Sequence, residues 1–230
     1  MVGRREGSRP SSGFADRSEA GRILADRLRY LKGSGAVVLA LPRGGVPVGY
    51  EIAMTAGVEL DVLVLRKVAA RSDPEYGLGA VTESGELFLD EPRVRALGLS
   101  REDLGPVVRE EQAEAARRSR LYRGGRPPTS VAGRIVVLTD DGVATGGTVR
   151  AALQILKRLG PSRIIVALGV SPPDTYRALV READDVECAL VADPFFSVGQ
   201  FYRAFEPVED RIVVALLTAA AGGTFVPPRP

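Results

Sequence analysis

VVLTDDGVATGGT, residues 136–148, runs from an apolar segment into two adjacent carboxylates and then into a small turn rich in glycine and hydroxyl groups. Val136, Val137 and Leu138 have the character of a strand in a parallel sheet, where ligands bind beyond the carboxyl ends. Such a strand delivers Asp140 and Asp141 to that edge, and a helix starting near Thr148 follows them. A helix N-terminus offers unpaired N–H groups and the positive end of a dipole, so it favours an anion. Gly146 and Gly147 let the backbone approach closely, and Thr145 and Thr148 can add hydroxyl donors, so the loop suits a phosphate. The carboxylates would repel that phosphate and must face another part of the ligand, either ribose hydroxyls or a magnesium ion bridging to other phosphates.

Outward from this stretch, short apolar runs alternate with segments of helical length. Residues 36–41 (AVVLAL), 61–68 (DVLVLRKV), RIIVALGV and VECALV read as further strands buried on both faces, because they lack polar alternation. Ile23, Leu24, Leu28 and Leu31 recur at helical spacing over residues 18–31, and a second helical pattern ends at Gly57. Strands alternating with helices predict an α/β fold around a parallel sheet flanked by helices. Two regions break the rhythm. In residues 72–90, β-prone runs flank Glu83-Ser84-Gly85 and predict a hairpin. Residues 101–122 form a long charged helix, read most simply as a solvated face laced with i,i+4 pairs. Polar, Arg/Gly/Ser/Pro-rich residues 1–12 are expected to be disordered, and residues 222–230 to form a flexible tail. Residues 13–221 then make one domain, with 72–125 as a hairpin and helical insertion.

Composition narrows the chemistry. The 230-residue chain can bury a full core, and its net charge of +2 gives no reason to expect nucleic acid. No apolar run approaches the ~20 residues of a membrane span, and no secretory apolar stretch is present, so a cytoplasmic protein is expected. There is no histidine and a single cysteine, Cys188. That excludes serine–histidine and cysteine–histidine catalysis, histidine-based zinc and an intramolecular disulfide. Any metal should be a hard ion held by oxygen.

The strand, acidic pair and Thr/Gly loop together resemble the phosphoribosyl pyrophosphate signature of type I phosphoribosyltransferases. The resemblance implies that Ala144, Thr145, Gly146, Gly147 and Thr148 hold the 5-phosphate, and that Asp140 and Asp141 serve the ribose and Mg2+. Thr139 and Gly142 stand where that family usually has apolar residues. LPRGG, residues 41–45, resembles the family's pyrophosphate loop, which often contains a non-proline cis peptide. It implies pyrophosphate binding by Arg43, Gly44 and Gly45, with Arg66 and Lys67 reaching the same group when residues 72–90 close. PFFSVGQFY, residues 194–202, is similar to the base-stacking segment of the 6-oxopurine enzymes in a small hood. It implies an acceptor-base site at Phe196, Ser197 and Val198, with Tyr202 at the same pocket.

The acceptor half departs from those enzymes. Ala144 stands where they have an aspartate near the purine, RIIVALGVS lacks their lysine, and Arg203 replaces a metal-binding aspartate. The expected activity is Mg2+-dependent transfer of ribose 5-phosphate from phosphoribosyl pyrophosphate to a small nitrogenous acceptor other than guanine or hypoxanthine. Arg43, Lys67, Asp140 and Asp141 are the expected catalytic residues. The alternatives are a non-catalytic sensor of phosphoribosyl pyrophosphate or a nucleotide, and a phosphoacceptor domain; the latter would need an acidic pair after the first strand, where LPRGG stands. Neither nucleic acid nor a membrane is expected as a partner, and a homodimer is implied by the resemblance alone.

Overall fold

Runs of Val, Ile, Leu and Ala without alternation become strands that are covered on both faces. In a computed structural model, which describes residues 13–71 and 73–222, the chain order is α1 (Arg17–Arg27), β1 (Val37–Ala40), α2 (Gly45–Ala56), β2 (Glu59–Val62), β3 (Leu65–Ala70), β4 (Asp73–Thr82), β5 (Leu87–Leu89), α3 (Glu91–Ala96), α4 (Arg101–Arg123), β6 (Ile135–Gly142), α5 (Gly147–Arg158), β7 (Arg163–Ser171), α6 (Pro173–Val180), β8 (Asp185–Val191) and α7 (Asp210–Ala220). The tails expected at residues 1–12 and beyond Gly222 lie outside the described residues, as does Ser72.

The main sheet has the order β2-β1-β6-β7-β8, and its neighbouring strands pair in parallel. Side chains alternate between its faces. Val38, Ala40, Val137 and Ile165 meet Leu24 of α1, Ile52 of α2 and Val213 of α7. Val37, Leu39, Leu138 and Val166 meet Leu153 and Leu156 of α5 and Leu179 of α6. The chain leaves β1 toward β2 on one side and returns as β6 on the other. The loops after β1 and β6 therefore open side by side at the switch point of the sheet, where a crevice forms.

The single strand expected over residues 61–68 is in fact two strands in different sheets. The parallel ladder ends when the Leu63 amide donates to the Ala40 carbonyl at 3.0 Å. From Leu65 the chain instead pairs antiparallel with β4, Arg66 opposite Val81 and Lys67 opposite Ala80. Leu63 and Val64 at the junction are buried, so the apolar run continues through it with no glycine or proline to mark it. The hairpin around Glu83-Ser84-Gly85 is present as β4–β5, with Gly85 at φ 95°. Strands β3, β4 and β5 make a second, antiparallel sheet whose core packs under α3 and α4 through Val68, Leu78, Val81, Val94 and Leu104.

Helix α4 starts at a capping box formed by Ser100 and Asp103 and stops at Gly124 with φ 60°, as capping chemistry favours. Its outer face carries an expected i,i+4 pair, Glu114 with Arg118, and an i,i+3 pair of Glu114 with Arg117. Its end does something that the charge pattern hides. Arg123 is buried, and its Nε donates to both Asp61 carboxylate oxygens at 2.8 and 3.0 Å. Nη2 donates to the Val62 carbonyl at 2.6 Å, and Nη1 donates to Glu83 Oε1 at 2.5 Å. This arginine ties the β4–β5 turn to the end of β2, so the small sheet is moored to the main one at its Glu83 end.

Candidate active site

Strand β6 carries Asp140 and Asp141 to the carboxyl edge, and the loop after β1 folds directly over them. The Pro42–Arg43 peptide is cis, as the resemblance implies. The two glycines that follow allow contact with β6. A Cβ on Gly44 would overlap Asp141 Oδ2, and one on Gly45 would come within 2.6 Å of the Thr139 carbonyl and 3.0 Å of Asp140 Cα. The pyrophosphate loop and the acidic pair of the sequence reading thus share one wall. Thr139 is buried and its Oγ1 has no partner among the described residues. Gly142 is held by packing, since a Cβ there would come within 2.6 Å of Val170 Cγ1 and 2.7 Å of Val198 Cγ1.

The two carboxylates are not equivalent. Asp141 is buried and accepts a 2.7 Å bond at Oδ2 from Arg17 Nε, while its own carbonyl accepts from the Tyr202 hydroxyl at 2.5 Å. Asp140 is half-buried, with Oδ1 accepting from the Asp141 amide at 2.9 Å. Burial raises the Asp140 carboxyl well above the usual carboxylate range, and the neighbouring Asp141 charge adds to the effect; the Asp141 N–H and the Arg17 cation oppose it. A cation or a set of hydroxyl donors placed here would relieve that cost. Among the described residues no group of three or more acidic, histidine or cysteine side chains could hold a metal by itself.

The Thr/Gly loop leads into α5. Gly146 takes φ 75°, a left-handed conformation that glycine tolerates, and it starts the helix without a side-chain cap. The first N–H groups of α5 are therefore available to an anion. Ala144, Thr145, Gly147 and Thr148 are exposed along this turn, and Thr175 of α6 braces it by donating to the Ala144 carbonyl at 2.7 Å.

Arg43 and Arg66 are held by partners from other elements. Arg43 is exposed, with Nη1 3.7 Å from Asp210 at the start of α7. Arg66 pairs at 2.7 Å with Glu111 of α4, so it is directed toward the helix that covers the small sheet. Lys67 is on the opposite face of β3 and is exposed there. Leu65, which shares that face, packs into the core layer below α5.

In the hood, Phe196 is 84% exposed and presents an open aromatic face. Its amide and that of Ser197 both donate to Gln200 Oε1, at 2.9 and 3.1 Å, which shapes the turn around Val198. Tyr202 requires a correction. It is buried, with its ring against Phe14 at 5.2 Å and Phe205 at 5.1 Å, so no ring face is left for a base. Its place is in the wall behind the acidic strand. An arginine that carries no motif also enters the site: Arg17 opens α1, and its guanidinium lies 3.9 Å from the centre of the Phe205 ring. No local pattern marks it, because DRSEAG reads only as an ordinary capped helix start.

The phosphoribosyl transferase domain family matches residues 16–205. A Mycobacterium tuberculosis protein provisionally named a phosphoribosyl transferase is 42% identical over 207 residues, covering 90% of this chain, which spans only 47% of that protein's length. The crystal structure of TT1426 from Thermus thermophilus superposes with a TM-score of 0.80 at 40% identity, covering 90% of this chain and 98% of that one. A hypothetical protein from Neisseria gonorrhoeae is similar in fold alone, with a TM-score of 0.50 at 10% identity over 94% of this chain and 99% of that one. Among the described residues no helix is long and apolar enough to cross a membrane.

Proposed function

Because the chain belongs to the phosphoribosyl transferase domain family, we propose that it transfers ribose 5-phosphate from phosphoribosyl pyrophosphate to a small nitrogenous acceptor and releases pyrophosphate. One observation carries the reading. The uncapped start of α5, the acidic pair and the Pro42–Arg43 loop meet at a single sheet edge, with Gly44 and Gly45 packed onto Asp141 and Asp140. These three parts suit the 5-phosphate, the ribose and the leaving pyrophosphate in turn.

The amides opening α5, with the hydroxyls of Thr145 and Thr148, would hold the 5-phosphate. Asp140 would accept from the ribose hydroxyls and place negative charge beside the oxocarbenium-like centre that glycosyl transfer develops. Arg43 and Lys67, with Arg66 behind them, would take up charge on the departing pyrophosphate. Magnesium, when bound, supplies charge neutralisation of the pyrophosphate, and Asp140 and Asp141 are the residues that would hold it. Two carboxylates fit a hard ion that takes its remaining oxygens from ligand and water. Phe196 offers the stacking surface for a flat acceptor. Positioning does most of the work, so an acceptor with an already nucleophilic nitrogen needs no strong protein base.

The alternative, a sensor that binds phosphoribosyl pyrophosphate or a nucleotide without turnover, draws support from the acceptor half, where Ala144 offers no acid or base. Screening free bases, pyridine carboxylates and small amines for Mg2+-dependent pyrophosphate release separates the two. Release with one acceptor class establishes the transferase, whereas tight binding without release across the panel favours the sensor.

A further inference from the structure

Arg17 lies outside the acidic motif, the pyrophosphate loop and the phosphate loop, yet it is the side chain bonded to Asp141. It reaches the site because the segment before it is strapped to the hood. The Phe14 amide donates to the Phe201 carbonyl at 2.7 Å, and the Arg203 and Ala204 amides donate back to the Phe14 and Ala15 carbonyls, each at 2.9 Å. Asp16 then caps α1, accepting from the Glu19 amide at 2.8 Å, so the helix begins at Arg17 with its direction set. The guanidinium is fixed on three sides. Nε donates to Asp141 Oδ2 at 2.7 Å, Nη1 donates to the Glu206 carbonyl at 3.0 Å, and the Phe205 ring lies beneath the group at 3.9 Å. The Arg17 and Asp141 side chains are only 11% and 12% exposed. A charge-assisted bond sheltered in this way is worth more than a surface pair.

We propose that Arg17 is a positioning residue for ribose binding: through the N-terminal strap it holds Asp141 in one orientation against Gly44, so that the acidic pair is set before the ligand arrives. The inference rests on the proposed binding of phosphoribosyl pyrophosphate. Asp141 has Oδ2 committed to Arg17 and to the close approach of Gly44, which leaves Asp140 as the more exposed carboxylate of the pair. Without the guanidinium, Asp141 loses its orientation and the shelter of the strap. The pyrophosphate loop then loses the surface on which it packs.

The test is a double-mutant cycle read by calorimetric titration of phosphoribosyl pyrophosphate with Mg2+. Arg17→Met should weaken binding about tenfold, or about 1.4 kcal/mol. Arg17→Lys, which restores the charge but not the planar fork, should recover part of that loss. In an Asp141→Asn background, Arg17→Met should add less than a twofold further loss, because the partner it positions is already altered. An equal tenfold loss in both backgrounds, or unchanged binding by Arg17→Met, overturns the inference. Phe205→Leu, which keeps the ion pair but removes the ring beneath it, provides a second variant if Arg17→Met does not fold; it should weaken binding less than Arg17→Lys does, and a larger loss overturns the assignment to the ion pair. Wild-type protein that binds no phosphoribosyl pyrophosphate overturns the proposed function itself, which is a different outcome from variants that bind as wild type does.

Discussion

Gly44 rests directly on Asp141: a methyl group at its Cα would overlap the Oδ2 that Arg17 also bonds. The loop after β1 and the strand end of β6 are therefore one packed unit. Gly44→Ala must displace either the carboxylate or the loop, an overpacking that costs about 1–3 kcal/mol. Affinity for phosphoribosyl pyrophosphate should fall at least tenfold by calorimetry, while circular dichroism shows an intact fold.

Neutralising the two carboxylates should separate their roles. Asp140→Asn and Asp141→Asn are each expected to lower pyrophosphate release by roughly 10²–10³, the scale of losing a group that stabilises transition-state charge. Their thermal melts should differ. Asp141→Asn leaves a sheltered Arg17 without its carboxylate and should lower the melting temperature. Asp140→Asn removes a charge that burial and Asp141 both oppose, so its melting temperature should be unchanged or higher. Equal destabilisation by both substitutions contradicts the division.

The turn before α5 should matter to binding and not to folding. Thr145 and Thr148 are exposed, and neither hydroxyl caps the helix. Thr145→Ala and Thr148→Ala should each weaken phosphoribosyl pyrophosphate binding by roughly 1.5–3 kcal/mol, the range for hydrogen bonds to a charged group. Melting temperatures should stay at the wild-type value, and wild-type affinity in the double variant refutes the phosphate loop.

Cys188 supplies a pH test remote from the site. It is 8% exposed, and burial pushes its thiol up to about 12. The unfolded thiol ionises near ~8.5. Between those values the folded state holds the extra proton, so this contribution to stability is complete below ~8.5 and is lost as pH rises toward 12. Cys188→Ala should therefore show a shallower fall in stability above pH ~8.5 than wild type. A chromogenic disulfide should label native Cys188 only as fast as the protein opens, and rapid labelling at neutral pH would disprove its burial.

Closure over the site should not involve the whole small sheet. Glu83 is moored by Arg123, so movement is expected at the opposite, β3–β4 end. Amide exchange should slow at residues 76–79 when phosphoribosyl pyrophosphate and Mg2+ bind, and stay unchanged at residues 82–86. Uniform slowing along the hairpin argues for a rigid cover instead.

Local chemistry alone was enough to place the parallel sheet and the turn that opens α5. Strands covered on both faces are written as unbroken apolar runs, and a strand that ends in carboxylates ahead of Thr-Gly-Gly-Thr specifies its own turn and helix start. LPRGG was legible for the same reason, as was the β4–β5 hairpin with its turn residues. The split of residues 61–68 between two sheets was not legible, because burial looks the same whether the neighbouring strand is parallel or antiparallel. Only the partner, β4, decides that.

Sequence marked the candidate ligand groups, and tertiary structure decided which of them are engaged with one another. DRSEAG specifies a capped helix, but that its first arginine meets Asp141 depends on a strap bonded to residues 201–204 of the hood. Tyr202 reads as a pocket aromatic, yet Phe14 from the start of the described chain and the nearby Phe205 lie against its ring. Arg123 lies just past the charged segment that reads as a solvated helix, yet it is buried between Asp61 and Glu83. In each case a deciding contact spans at least forty residues of sequence, the shortest being the Arg123–Glu83 separation of 40. Local propensity carries no information about such pairs. They form because packing the sheet brings those surfaces together and leaves a buried charge or ring no other partner.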